Sequence, residues 1–245
     1  MPNGFSGPRT PTATTATRSA SLARGGTRQT QRDTQRLLKV DPEHKTFKHY
    51  YGLTFVSMLP RGIQDDLYNK VVLLERELRI RGLLDYFLFV PSVTYHFTLE
   101  GVVERSVPDI EQDEVDYYFS VATTGLTVPT GTTFDVEANE FNKFSNLALW
   151  VRATASTVPA FVNTLKSNLG KKSSKGDFHI TVAYYRDRLT KDYQTRRVEE
   201  ALRQATSQAF TAPYGSPLRW SVDNAKMYYF SSMEYYEEIP STELI

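Results

Sequence analysis

The sequence predicts a mixed α+β fold of two lobes related by a diverged duplication, with antiparallel sheets flanking a central cleft and helices outside. Two observations predict this fold. Short β-forming segments alternate with amphipathic helical patterns over residues 46–245. A strand, helix and strand also occur twice in the same order, and each copy ends in a His-x-Thr pattern. Equivalent positions of duplicated lobes commonly face each other across a cleft, so we expect the two patterns to meet.

The composition is that of a globular protein and excludes several functional classes. The chain has 245 residues, of which 40% are hydrophobic and 23% are charged, enough for a sizeable core. No run of about 18 apolar residues is present, so we expect no membrane-spanning helix. Because there is no cysteine, disulfides, thiolate metal sites and cysteine nucleophiles are excluded.

Positive charge is concentrated in residues 1–45, which carry eight Lys or Arg and three acidic residues; this leaves +5 there and −4 on residues 46–245. Residues 1–36 are rich in Gly, Pro, Ser, Thr and Arg and bury too little apolar surface to offset the entropy of ordering. We therefore expect a disordered basic tail, followed by a single domain over residues 46–245. The tail is interpreted as a solvated end, an arm for RNA or another anion, or an organelle transit peptide. No secretory signal is visible, and we expect a cytoplasmic monomer.

The first copy opens with Tyr51–Met58, which is rich in β-forming residues and predicts a strand. Apolar residues at three- and four-residue steps over 63–78 then predict an amphipathic helix that ends near Gly82. Residues 93–103 are predicted to form the strand that carries the first His-x-Thr pattern. A polar connection with a helix around 109–119 follows.

The second copy is predicted from strand segments around 133–138 and 146–153 and from helical spacing over 158–169. It ends in the strand Asp177–Tyr185, which carries the second pattern. After it, residues 191–210 predict a charged surface helix, and residues 218–239 predict two strands rich in tyrosine.

The two patterns are Tyr95-His96-Phe97-Thr98-Leu99 and Phe178-His179-Ile180-Thr181-Val182. Because side chains alternate across a strand, each histidine shares a face with the threonine two residues later, while the apolar neighbours face the core. Two such strands across one cleft would form a site of two imidazoles and two hydroxyls.

This set of groups suits chemistry at phosphorus. A neutral imidazole accepts a proton from water or a ribose hydroxyl, and a protonated one donates a proton to the departing oxygen. The hydroxyls of Thr98 and Thr181 would hydrogen-bond the non-bridging oxygens as charge develops. The scheme requires no metal or other cofactor.

The paired patterns resemble those of the 2H phosphoesterase superfamily, which includes LigT-like RNA ligases, cyclic phosphodiesterases and 2′,5′-phosphodiesterases. The resemblance covers residues 47–239 in the order of elements. It implies that His96 and His179 are the catalytic pair and that Thr98 and Thr181 bind the substrate phosphate. The implied activity is opening of a 2′,3′-cyclic phosphate or cleavage of a 2′,5′ linkage, on RNA ends, cyclic nucleotides or small oligonucleotides. RNA ligation would be the reverse reaction at the same site.

Neighbouring residues leave several alternatives open. Glu100 and Asp177 share strand faces with the two histidines, where they could orient an imidazole, raise its pKa or repel a phosphate. Together with the histidines they also form a two-His, two-carboxylate set that could hold a metal.

Residues directly after the second pattern are candidates for holding a nucleotide. Tyr184 and Tyr185 could stack on bases, and Arg186 could contact phosphate. A non-catalytic RNA-binding protein that uses the cleft and the basic tail is the alternative to an enzyme, although binding alone requires no acid and base.

Overall fold

The computed structural model describes residues 39–105, 110–128, 131–144, 147–173, 175–187, 189 and 191–245. Its helices are α1 (Arg61–Ile80), α2 (Gln112–Thr123), α3 (Ala160–Asn168) and α4 (Asp192–Phe210). Its strands are β1 (Val40–Asp41), β2 (Thr46–Phe47), β3 (Tyr51–Met58), β4 (Phe87–Phe89), β5 (His96–Arg105), β6 (Phe134–Phe144), β7 (Ala148–Ala155), β8 (Asp177–Tyr185), β9 (Leu218–Val222), β10 (Ala225–Ser232) and β11 (Tyr235–Glu243). None of the helices in these ranges has both the length and the apolar character needed to span a bilayer.

The strands form two main antiparallel sheets. The four-stranded sheet has the order β11-β10-β3-β5, and the five-stranded sheet has the order β4-β8-β7-β6-β9. The strands of the two sheets alternate along the chain. Strand β4 precedes β5 in the chain yet pairs with β8, and β10 returns to pair with β3. The two lobes are therefore interleaved along the sequence. A separate two-stranded ladder joins β1 to β2.

The predicted α+β class with antiparallel sheets is confirmed. In each copy the first strand pairs with the strand that carries the histidine, β3 with β5 and β7 with β8. The connecting helices, α1 and α3, occur where the apolar spacing predicted them. The prediction of two C-terminal strands was wrong, because the chain turns again after Ser232 and forms β11.

Other boundaries differ by a few residues. Residues Ser92–Thr94 form a 3₁₀ turn, so β5 begins at His96. The predicted disordered tail lies mostly outside the described residues. Its last part, residues 39–45, is described and includes β1, in which Val40 is buried in the core.

Apolar packing joins the helices to the sheets and the sheets to each other. Helix α1 buries Leu67, Val71 and Leu74 on one face and packs against α4. The helices α2 and α3 also pack together. Next to the two histidines in sequence, Phe97 of β5 and Phe178 of β8 are in ring contact, with centroids 4.6 Å apart. This contact fixes the two His-x-Thr strands relative to each other.

Gly52 in β3 provides a test of this packing. A Cβ atom there would lie 2.3 Å from the carbonyl oxygen of Val103 and 2.4 Å from the ring of Phe230, so no side chain fits between β5 and β10. We expect Gly52→Ala to lower the free energy of unfolding by about 1–3 kcal/mol. Gly62→Ala in α1 is the control, because a Cβ there meets nothing within 4 Å and alanine favours the helix. Urea denaturation of both variants measures the difference, and equal stabilities would contradict the close approach of the strands.

Candidate active site

All four residues of the His-x-Thr patterns line one cavity, of about 430 Å³, between the two sheets. Strand β5 supplies His96 and Thr98, and β8 supplies His179 and Thr181. The structure therefore brings together the side chains that the duplicated pattern predicted would meet. The other lining residues are Lys39, Thr54, Glu100, Gly101, Val102, Val103, Glu104, Lys171, Tyr184, Met233 and Tyr236.

Each histidine strand is bulged at the same place. The register between β5 and β3 skips Leu99, directly after Thr98, and the register between β8 and β7 skips Val182, directly after Thr181. Both skipped side chains are fully buried. A bulge bends and twists a strand locally and changes the direction of the following side chains. The two halves of the site thus share a backbone irregularity as well as a motif.

His96 is held in one tautomer by the backbone. Its Nδ1 lies 2.8 Å from the carbonyl oxygen of Thr94, so Nδ1 carries the proton that is donated and Nε2 is left for a ligand. The ring of Tyr236 packs against the imidazole with centroids 4.6 Å apart. Burial lowers the pKa of His96 to about 4, and the bond to Thr94 opposes this shift.

His179 has a different environment. The indole of Trp150 on β7 packs against its ring with centroids 4.9 Å apart. Burial lowers the pKa of His179 to about 4, helped by positive charge on His96, Lys166 and Lys39. Both imidazoles are therefore neutral at pH 7.

The two carboxylates next to the histidines are neutralised by basic side chains. Glu100 accepts a hydrogen bond from Lys166 of α3 at 2.6 Å, and both groups are largely buried. Asp177 accepts from Arg152 at 2.7 Å in an exposed ion pair and does not line the cavity. Among the described residues neither carboxylate hydrogen-bonds an imidazole, so neither orients a histidine ring by such a bond. The four side chains of the metal alternative are not gathered either, since no group of three such ligands is found in the described ranges.

The three residues predicted to hold a nucleotide do not lie together in the structure. Tyr184 lines the cavity, and its hydroxyl donates to the sulfur of Met233 at 3.0 Å. Tyr185 instead packs in the core against Phe87, with ring centroids 4.7 Å apart, because the next side chain along β8 turns to the other face. Arg186 does not line this cavity, and its backbone N–H donates to the carbonyl of Tyr86.

Sequence reasoning missed a charged cluster in the same cavity. Lys39 is 9% exposed, and its ammonium lies 3.3 Å from Glu104 Oε1. The hydroxyl of Tyr50 donates to Glu104 Oε2 at 2.7 Å. Tyr236 and Met233 come from β11 and the turn before it. No motif marked these residues, since Lys39 lies in the predicted tail and β11 was not predicted as a separate strand.

Comparisons with known proteins give structural likeness only. No family model matches the chain, and no curated protein matches its sequence. A conserved protein of unknown function from Agrobacterium tumefaciens matches with a TM-score of 0.57 and 19% identity, covering 82% of this chain and 89% of that chain.

Two named proteins also match. Escherichia coli LigT, solved in complex with ATP, matches with a TM-score of 0.45 and 15% identity over 78% of this chain and 96% of that chain. Usb1 of Kluyveromyces marxianus matches with a TM-score of 0.45 and 10% identity over 78% of this chain and 99% of that chain. At these identities the likeness concerns the fold.

Proposed function

We propose that the chain is a metal-independent phosphodiesterase of the 2H type that acts on RNA ends or small oligonucleotides. Its reaction would be opening of a 2′,3′-cyclic phosphate or cleavage of a 2′,5′ linkage. The observation that carries the proposal is that the two His-x-Thr patterns, one from each sheet, line the same cavity. An imidazole pair next to a hydroxyl pair matches the groups that in-line displacement at phosphorus needs.

In the proposed reaction one neutral histidine takes a proton from water as the water oxygen forms a bond to phosphorus. The other histidine, which is protonated at the start, gives its proton to the departing ribose oxygen as the bond between phosphorus and that oxygen breaks. The threonine hydroxyls donate hydrogen bonds to the non-bridging oxygens, on which negative charge develops. For a cyclic phosphate the product is a nucleoside monophosphate, and both protons are accounted for by the two imidazoles.

The charges around the cavity favour an anionic substrate. The lining carboxylates are paired with lysines, Glu104 with Lys39 and Glu100 with Lys166. The exposed Lys171 adds a positive charge at the rim. A phosphate that binds between the imidazoles would stabilise a protonated histidine and so raise the pKa of that histidine from its value of about 4 in the protein alone. Substrate binding would thereby generate the acid that the reaction requires.

The first prediction from this proposal concerns the imidazoles. We expect His96→Ala and His179→Ala each to reduce kcat on a 2′,3′-cyclic nucleotide or 2′,5′-oligoadenylate by about 10²–10⁴-fold, because each removes one proton-transfer group. His49→Ala is the control, since His49 is exposed and does not line the cavity. Assays are run with and without a chelator. Full activity in either cavity variant would remove the proposed roles, and loss of wild-type activity with chelator would contradict metal independence.

The second prediction concerns the hydroxyls. Thr98→Val and Thr181→Val keep the shape of the side chain and remove its donor, so we expect kcat to fall about tenfold to a hundredfold with little change in the melting temperature. Thr46→Val, on the exposed ladder strand β2, should leave kcat unchanged. A rise in KM with unchanged kcat would show that the hydroxyls bind the ground state only and would contradict a role in stabilising the developing charge.

The third prediction concerns pH. In the free protein both imidazole pKa values are about 4, so the form with one protonated and one neutral histidine becomes rarer as pH rises above that value. We expect kcat/KM to decline across the neutral range, and the decline of kcat to begin at higher pH because bound phosphate raises the pKa of the acid. Identical profiles for kcat and kcat/KM would contradict this.

The same pKa shifts affect stability in the opposite direction. Because the folded pKa lies below the unfolded value of about 6.5, the unfolded state binds more protons and stability falls as pH decreases from about 6.5 towards 4. Melting temperatures measured over the same range separate this effect from catalysis.

A further inference from the structure

One part of the cavity has no role in the proposed proton transfers. It consists of Lys39, Glu104, Tyr184, Met233 and Tyr236, which we call the lysine–glutamate end. Its members are in mutual contact, since Lys39 lies over the Tyr184 ring at 5.7 Å and the Tyr184 hydroxyl donates to Met233. Tyr236 connects this end to the proposed active centre, because its ring packs on His96. A substrate whose phosphate lies between the histidines would therefore have neighbouring groups at this end.

Lys39 and Glu104 present a donor directly beside an acceptor. The Lys39 ammonium has three N–H donors, and Glu104 is its acidic partner, at 3.3 Å. The carboxylate has about four acceptor positions, and only Lys39 and Tyr50 use them among the described residues. Lys39 is nearly buried, whereas the Glu104 side chain is 39% exposed. Among the described residues both groups thus keep unused hydrogen-bonding capacity, and both line the cavity.

The size and the aromatic lining suit one nucleotide. A volume of about 430 Å³ is within the range of small-molecule sites. Bases pack against aromatic rings and are read through hydrogen bonds to their edges, and the rings of Tyr184 and Tyr236 line this end. An end that combines a ring, an ammonium and a carboxylate therefore fits a base better than a second phosphate, which the carboxylate would repel.

We propose that the lysine–glutamate end is a base subsite that selects guanine; this rests on the proposed phosphodiesterase function. The Watson–Crick edge of guanine has an acceptor, O6, beside two donors, N1–H and the N2 amino group. Lys39 would donate to O6, and the two Glu104 oxygens would accept from N1–H and N2–H. Adenine and cytosine offer the carboxylate one donor group each. Uracil places its O2 acceptor against the carboxylate.

The substrate panel tests the proposal without any variant. The probes are the 2′,3′-cyclic phosphates of guanosine, adenosine, cytidine and uridine, each assayed for kcat/KM with the full chain. We expect the guanine substrate to exceed each of the others by about tenfold or more, the discrimination that a bidentate contact with a base provides. Equal values for the four, or preference for another base, would overturn the proposal.

Glu104→Gln tests the residue. The amide keeps one acceptor for the adenine amino group but replaces the second acceptor with a donor that opposes guanine N2–H. We expect the ratio of guanine to adenine kcat/KM to fall by about tenfold. Glu238→Gln is the matched control, because Glu238 pairs with Lys226 at 2.9 Å on the same sheet outside the cavity. A ratio unchanged in Glu104→Gln would overturn the assignment even where guanine is preferred.

Failure of the subsite and failure of the proposed function give different results. If all four cyclic phosphates are hydrolysed equally, the function stands and the subsite is wrong. If none is hydrolysed, the phosphodiesterase proposal fails for these substrates, and the dissociation constants of 3′-GMP and 3′-AMP then decide about the subsite. Tighter binding of 3′-GMP that is lost in Glu104→Gln supports it, and equal binding overturns it. Melting temperatures of both variants confirm that the compared proteins are folded.

Discussion

Two imidazoles can act on one phosphate only if strands of different sheets are held at a fixed separation. Here the ring contact of Phe97 with Phe178 does this, since each phenylalanine is adjacent in sequence to one of the histidines. Alternation along each strand then directs the apolar residues into the core and the His-x-Thr side chains into the cavity. The same residues that stabilise the fold thus set the distance between the proposed catalytic groups. A change in this apolar contact would move the site without altering any residue of it.

Burial of the two histidines disfavours their protonated forms, and the surrounding groups do not fully offset this effect. Aromatic rings pack on both imidazoles and exclude water, which holds both pKa values at about 4. A carboxylate against either ring would raise its pKa and repel phosphate. In the structure Glu100 is instead bound to Lys166, and Asp177 to Arg152. The centre of the cavity is therefore neutral at pH 7, and an anion bound there would favour its protonation.

The sequence was sufficient for features that depend on local pattern. Alternation predicted which face of β5 and β8 carries the histidines, and apolar spacing predicted α1 and α3. Duplication predicted that the two patterns meet. Features that depend on distant contacts were not predictable in this way. The position of Lys39 depends on packing against Tyr50 and Glu104, 11 and 65 residues later. The skipped residues after Thr98 and Thr181 carry no sequence signal, because leucine and valine are ordinary residues of a buried strand.

The cavity combines a duplicated frame with parts that have no counterpart in the duplication. The frame supplies two bulged strands, each with a histidine and a threonine, and these four side chains by themselves would treat both sides of a phosphate alike. Lys39 comes from before the first copy, and Met233 and Tyr236 come from after the second. The ring of Tyr236 packs on His96, whereas the ring that packs on His179 is that of Trp150. The additions therefore make one side of the symmetric frame different from the other. A substrate with a phosphate at one end and a base at the other requires that difference, since a fully symmetric cavity would bind it in two orientations, with the leaving oxygen on either side.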